Sequence, residues 1–269
     1  MKKILAFAMA LVMIFALCAC GSKPAPAADA KETLVMGTSA DYAPFEFMYP
    51  DDNGDLVYGG IDVSVAQYIA DYTGKELKIE NMGFDYLLAS LQKGDFDMVI
   101  AAMEATEERS NSADFSDPYY TDIPAKVLIR KADVELYNAA EDLDGKSVGA
   151  QTATTKELLV KDVFSGANPV SLQNVNDLVN QLVNDKIDAV VLDGGVATSF
   201  VQSNSDLAIA NITLPDAEPY CIAVAKGDPK GLLPGINEAI ADMLENDKLS
   251  EFIAFANSLE DVAQEVSAE

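Results

Sequence analysis

The chain is 269 residues long and carries 44 Asp and Glu against 18 Lys and Arg, a formal net charge of −26, with no histidine. A surface this acidic repels nucleic acid and anionic lipid. The lack of histidine excludes Ser-His and Cys-His nucleophilic catalysis and histidine-ligated metal sites.

At the N-terminus, Lys2 and Lys3 precede an unbroken apolar run of 14 residues, Ile4 to Leu17. That is the charged start and apolar middle of an export signal, and it falls short of the roughly 20 residues a spanning helix needs. No later stretch is apolar enough to span. The run ends in Leu17-Cys18-Ala19-Cys20-Gly21, which resembles the lipobox of bacterial lipoproteins. The resemblance implies a signal peptide over 1–19, lipid on Cys20 and an extracytoplasmic protein held at the cell membrane, since two or more acyl chains retain a protein there. Residues 20–32 are rich in Pro and Ala without apolar periodicity and read as a tether. The rest is long enough for one large or two modest domains. With Cys18 cleaved off and Cys20 lipidated, Cys221 stands alone, so no internal disulfide is available; its strand-like setting predicts a packing role.

Residues 34–38 read as a short strand, and Asp51-Asp52-Asn53-Gly54-Asp55 as a hairpin turn with Asn-Gly at its tip. A calcium-loop reading of this acidic stretch fails, because its sixth position is Leu56 and its twelfth Asp62. Ile61, Val65, Ile69 and Tyr72 recur at helical spacing and stop at Gly74. A strand over 75–80, a helix over 86–92 and a strand over 97–101 follow. This β-α-β-α-β series predicts a parallel sheet covered by helices. It recurs as strand 147–151, helix 155–164, strand 169–172, helix 175–184 and strand 188–192. A shift of 91 residues sets Leu87 on Leu178, Leu91 on Leu182, Phe96 on Ile187, Asp97 on Asp188 and Val99 on Val190. Two similar α/β lobes are expected, with helices over 235–245 and 249–259 returning to the first. The same shift pairs Ala102 with Asp193, each just past the carboxyl end of a strand, where ligands of open α/β sheets bind.

Several segments together resemble the bacterial family 3 solute-binding proteins, receptors for polar amino acids. They are Gly37 to Phe47 (GTSADYAPFEF), Thr106-Glu107-Glu108-Arg109 running into Asp114 to Tyr120 (DFSDPYY), Leu143 to Gly149 (LDGKSVG), Thr154-Thr155, Asp188 to Asp193 (DAVVLD) and Glu218-Pro219-Tyr220. The resemblance implies a type II periplasmic-binding-protein fold, with lobe 1 over 33–119 and 221–269, lobe 2 over 120–220, and two hinge segments near 119–123 and 216–220. Closure about such hinges buries one ligand.

An amino acid carries a carboxylate and an ammonium, and a water-excluding cleft must pair both. By the resemblance, Arg109 binds the carboxylate, for which its planar fork is suited, and Asp193 binds the α-ammonium. Read without it, Arg109 is a surface ion-pair residue and Asp193, before Gly194-Gly195, a helix cap. Tyr42 and Phe84 match the rings that flank the ligand side chain, while the backbone around Ala102, together with Thr154 and Thr155, matches further carboxylate contacts. Gln151 falls at a side-chain selector position. Two departures stand out. Glu104 replaces the usual Ser or Thr donor, so it either turns away to pair with Arg109 or a lysine, or engages a cationic part of the ligand. Ser39 replaces the aspartate of some receptors for basic amino acids.

The expected partners are a free polar amino acid, an ABC transporter permease and the membrane through the lipid, with no nucleic acid; the chain is expected to be monomeric and to need no cofactor or metal. Two other functions fit the same fold: a cyclohexadienyl-dehydratase-like enzyme, with Glu104 as a carboxylate acid or base, and a ligand-sensing receptor module.

Overall fold

The computed structural model describes residues 31–267. The expected signal peptide and lipidated Cys20 lie outside the described residues, as does most of the segment read as a tether. Among the described residues, no helix is long and apolar enough to cross a membrane.

Each of the two predicted series forms a five-stranded sheet. In the first, β1 (Thr33–Thr38) lies between β4 (Glu76–Asn81) and β5 (Met98–Val99), all parallel, and β12 (Ala223–Ala225) and β6 (Ala113–Phe115) continue the sheet antiparallel. In the second, β8 (Ser147–Gln151) lies between β9 (Asn168–Leu172) and β10 (Ala189–Leu192), again parallel, followed antiparallel by β7 (Lys126–Arg130) and β11 (Leu207–Ile209). The two sheets therefore have the same order of partners and directions. The repeat extends to side chains. Asp97 Oδ2 accepts from the Val35 amide at 2.7 Å, and its counterpart Asp188 accepts from the Ser147 amide through Oδ2 at 2.8 Å. In each lobe a carboxylate pins the entering strand to its neighbour.

The helices bury the faces that their spacing predicts. In α1 (Ile61–Tyr72), Ile61, Val65, Ala66 and Ile69 are buried, and in α5 (Val175–Val183) Val175, Leu178, Val179 and Leu182 are. Fully burying such a branched aliphatic side chain contributes about 1.5–3 kcal/mol. The turn at 51–55 joins the hairpin of β2 (Phe47–Pro50) and β3 (Leu56–Gly59), with Asp51 Oδ1 accepting from the Asn53 and Asp55 amides. Its acid is thus a turn former. The last helices, α7 (Leu233–Glu245) and α8 (Lys248–Ser267), pack on α1, and α8 also reaches β2 and the second-lobe helix α6 (Gly194–Ser203).

The chain crosses between lobes after β6 and again before β12. The crossings lie side by side: the Tyr119 amide donates to the Tyr220 carbonyl at 3.0 Å, and the Tyr220 amide to the Tyr120 carbonyl at 2.8 Å. Tyr220 stacks on Tyr120, and Phe45 meets both edge-on. These ring contacts centre an aromatic cluster where the lobes join.

Candidate functional site

The carboxyl ends of both parallel sheets lead into one cleft. From the first lobe, Glu104 sits on an extended segment that bridges to Tyr220, and Arg109 rides on the short helix α3 (Glu107–Ser110), whose start is capped by Thr106 accepting from the Arg109 amide. From the second lobe come Thr154 to Lys156, at the start of α4 (Thr155–Val163), and Asp193, just past β10.

Asp193 immediately precedes α6 but does not cap it with its side chain. That role falls to Asp122 on the crossing segment, whose Oδ2 accepts from the Gly195 amide at 2.9 Å. The crossing is pressed so closely on this helix that a Cβ on Gly194 would lie 2.4 Å from Ile123 Cγ1 and 2.5 Å from the Pro124 carbonyl oxygen. Asp193, 3 % exposed, is thereby released for the cleft, where its Oδ2 accepts from Tyr42 Oη at 2.7 Å and its Oδ1 lies 2.5 Å from Lys156 Nζ.

Lys156 escaped the sequence reading, yet it is the hub of the site. It is 5 % exposed, and its ammonium lies 2.6 Å from Glu104 Oε1 as well as on Asp193, with the Tyr220 ring centroid 6.0 Å away. Glu104 also accepts from Thr155 Oγ1 at 2.8 Å and from Arg109 Nη1 at 3.0 Å. Arg109 donates further to the Glu104 carbonyl at 3.0 Å and across the cleft to the Ala153 carbonyl at 3.1 Å, and lies 5.2 Å over the Phe84 ring. Two carboxylates thus face two cations, in alternation.

The electrostatics follow from that balance. Burial alone would raise the Glu104 carboxyl, but the Lys156 and Arg109 charges outweigh it and hold the group at about 2. For Asp193 burial prevails and the carboxyl is raised, although Lys156 opposes the rise. Burial works against the Lys156 ammonium; Asp193 and Glu104 reverse this and raise it.

The other expected residues divide. Tyr42 is in the site through Asp193, and Phe84 through Arg109. Thr155 reaches Glu104, whereas Thr154 caps α4, its Oγ1 accepting from the Glu157 amide at 3.3 Å and donating to the Gln151 carbonyl at 2.7 Å. Gln151 donates to the Gln173 carbonyl at 2.9 Å. Ala102 stands in the left-handed region, φ 44°, and its amide donates to Asp62 Oδ2 at 2.7 Å. The signal for Lys156 was its place in the first turn of a helix, where the dipole disfavours a cation. Something else must hold it there.

Beside Arg109 a cavity of about 490 Å³ opens between the lobes, lined by Phe84, Met103 and Arg109 opposite Ala153 to Thr155, with Asp85, Glu108 and Glu157 among its acids. Among the described residues, no group of three or more Cys, Asp and Glu could hold a metal ion.

Comparisons with known proteins identify the family and the fold. The model for bacterial extracellular solute-binding proteins, family 3, matches residues 34–254. The arginine-binding extracellular protein ArtP of Bacillus subtilis is 34% identical over 253 residues, which cover 93% of this chain and 95% of that protein. A crystal structure of the amino acid ABC transporter substrate-binding protein AbpA of Streptococcus pneumoniae bound to L-arginine superposes with a TM-score of 0.81 at 35% identity, covering 86% of this chain and 96% of that one. A membrane-bound lytic murein transglycosylase F of Desulfosudis oleivorans is 30% identical over 194 residues, 70% of this chain but 41% of that protein.

Proposed function

The chain belongs to the bacterial extracellular solute-binding proteins, family 3, and we propose that it is the substrate-binding component of an ABC importer, capturing one polar amino acid between its lobes for a membrane permease. The observation that carries this reading is the pair Arg109 and Asp193: a guanidinium and a carboxylate, one from each lobe, linked through Glu104 and Lys156, with a cavity opening beside Arg109. A zwitterion supplies the two complementary charges. Arg109 takes the carboxylate in a forked hydrogen bond, Asp193 takes the α-ammonium, and Tyr42 and Phe84 flank the side chain. The domain bounds implied by the resemblance, 33–119 with 221–269 and 120–220, place the crossings at the hinge.

For the side chain we propose a cation, L-arginine first. Asp85, Glu108 and Glu157 surround the cavity beside Arg109, so its wall carries an excess of negative charge that favours a cationic ligand group. The arginine-binding relatives support the same choice. The lipid on Cys20, the permease, the monomeric state and a purely binding role without catalysis belong to this proposal.

A thermal-shift screen of the purified protein against the twenty amino acids tests it, because a ligand that binds only the folded state raises the midpoint by mass action. L-arginine should give the largest rise, with an affinity of micromolar or better, about −8 kcal/mol. No rise with any amino acid would overturn the reading.

A further inference from the structure

The two groups that an amino acid would bring to this cleft are already supplied by the protein. The Glu104 carboxylate lies on Arg109 Nη1 and on Thr155 Oγ1, and the Lys156 ammonium lies on Asp193 Oδ1 over the Tyr220 ring. The two are also joined to each other, at 2.6 Å. We propose that Glu104 and Lys156 together form an internal substitute for a zwitterion, which an incoming amino acid must displace from Arg109 and Asp193, so that this pair sets the affinity of the receptor and the minimum strength of ligand it answers to.

This inference rests on the amino-acid reading of the cleft. Every oxygen of both carboxylates is engaged: Glu104 Oε1 by Lys156 and Thr155, Glu104 Oε2 by Arg109, Asp193 Oδ1 by Lys156 and Asp193 Oδ2 by Tyr42. An added ammonium set on Asp193 would meet the Lys156 ammonium as a like charge unless Lys156 leaves. Arg109 is similarly committed, to Glu104 and to the Ala153 carbonyl. The pair also crosses the cleft, since Glu104 belongs to the extended segment beside the first sheet and Lys156 to α4 of the second. It therefore draws the lobes together as a bound zwitterion would, through contacts of the same chemistry. A ligand that can bind only the fraction of molecules whose pair has parted has an apparent dissociation constant raised by the reciprocal of that fraction. Removing both members leaves Arg109 and Asp193 as one cation and one anion, with net charge unchanged and complementary to a zwitterion. Removing one alone leaves its partner buried and unmatched, which is why the test needs the double substitution.

The experiment is calorimetric titration of L-arginine, and of whichever amino acid gives the largest thermal shift, into the wild type, E104T/K156M and E104Q/K156Q. The second variant keeps polar, hydrogen-bonding side chains at both positions without their charges, so it carries the test should the first fail to fold. The expected result is at least tenfold tighter binding in the double variants. Binding to the wild type with equal or weaker affinity in the folded double variants would overturn the substitute, weaker binding marking Glu104 and Lys156 as direct ligand contacts, and either result leaves the receptor reading intact. Binding by no variant to any amino acid would overturn the receptor reading itself, and this inference with it.

Discussion

Two buried polar clusters lie in this molecule, and their carboxylates behave in opposite ways. In the cleft, Glu104 and Asp193 share two cations, and the Glu104 carboxyl is held at about 2 despite its burial. Beneath it, Glu46 and Asp62, 1 % and 0 % exposed, hydrogen-bond each other, and Asp62 takes Tyr119 Oη at 2.7 Å and the Ala102 amide. Burial raises Asp62 to about 6 in spite of those donors, and burial together with the Asp62 charge raises Glu46 well above its usual range. Two cations outweigh the burial of Glu104, whereas the donors on Asp62 do not outweigh its burial. The cleft cluster spans the lobes and its cations can be exchanged; the lower one fixes the backbone at Ala102 and has no cation among its named partners.

The comparison breaks most severely at Arg109. Arg109→Ala should weaken amino-acid binding by at least 100-fold in calorimetry, because losing one partner of a buried ion pair costs about 3–5 kcal/mol. Affinity within a few-fold of wild type would show that the ligand carboxylate is held elsewhere. In the lower cluster, Asp62→Asn replaces an oxygen facing a donor with an amide that cannot accept, and should cost about 1–3 kcal/mol in chemical denaturation.

The pH dependence of stability should separate the clusters. Asp41 is raised to about 6 by burial, like Asp62. Acids whose folded pKa lies above the unfolded value stabilise the protein fully below the unfolded value, near 4, and lose that contribution as pH rises through about 6. For Asp62 the change is on the order of 3 kcal/mol. Glu104 has the opposite sign: its contribution is present above about 4.5 and is lost as pH falls toward 2. The unfolding midpoint should therefore rise from pH 7 to about pH 4.5 and fall at lower pH. The smallest effect belongs to Glu46→Gln. Burial and the Asp62 charge already push its carboxyl toward the neutral form, so the amide should leave stability at pH 7 within about 1 kcal/mol while altering the upper part of the pH profile.

Much of this architecture was legible in the sequence because it rests on local periodicity and on a repeat. The helices α1 and α5 bury the side chains their spacing selects, and the shift of 91 residues correctly pairs Asp97 with Asp188. What escaped was non-local. β6 and β11 have three residues each, and their strand character comes from partners elsewhere in the chain. The hydrophobic strand expected over 97–101 pairs as a strand only at Met98 and Val99. In the site, Asp193 was weighed as a cap and as an ammonium ligand; the structure frees it by giving the cap to Asp122, seventy-one residues earlier in the chain. Glu104 was expected to find Arg109 or a lysine if it did not face the ligand, and it finds both, but which lysine was hidden until the lobes were brought together. Lys156 carried only the weak signal of a cation in a helix's first turn.

The most direct test of the central claim, that the cleft pairs both charges of an amino acid, is calorimetric titration of L-arginine beside two analogues, agmatine, which lacks the carboxylate, and argininic acid, which lacks the α-ammonium. Pairing at Arg109 and Asp193 predicts that L-arginine binds at micromolar affinity or better and that each analogue is at least 100-fold weaker. An analogue that binds as tightly as L-arginine would contradict it.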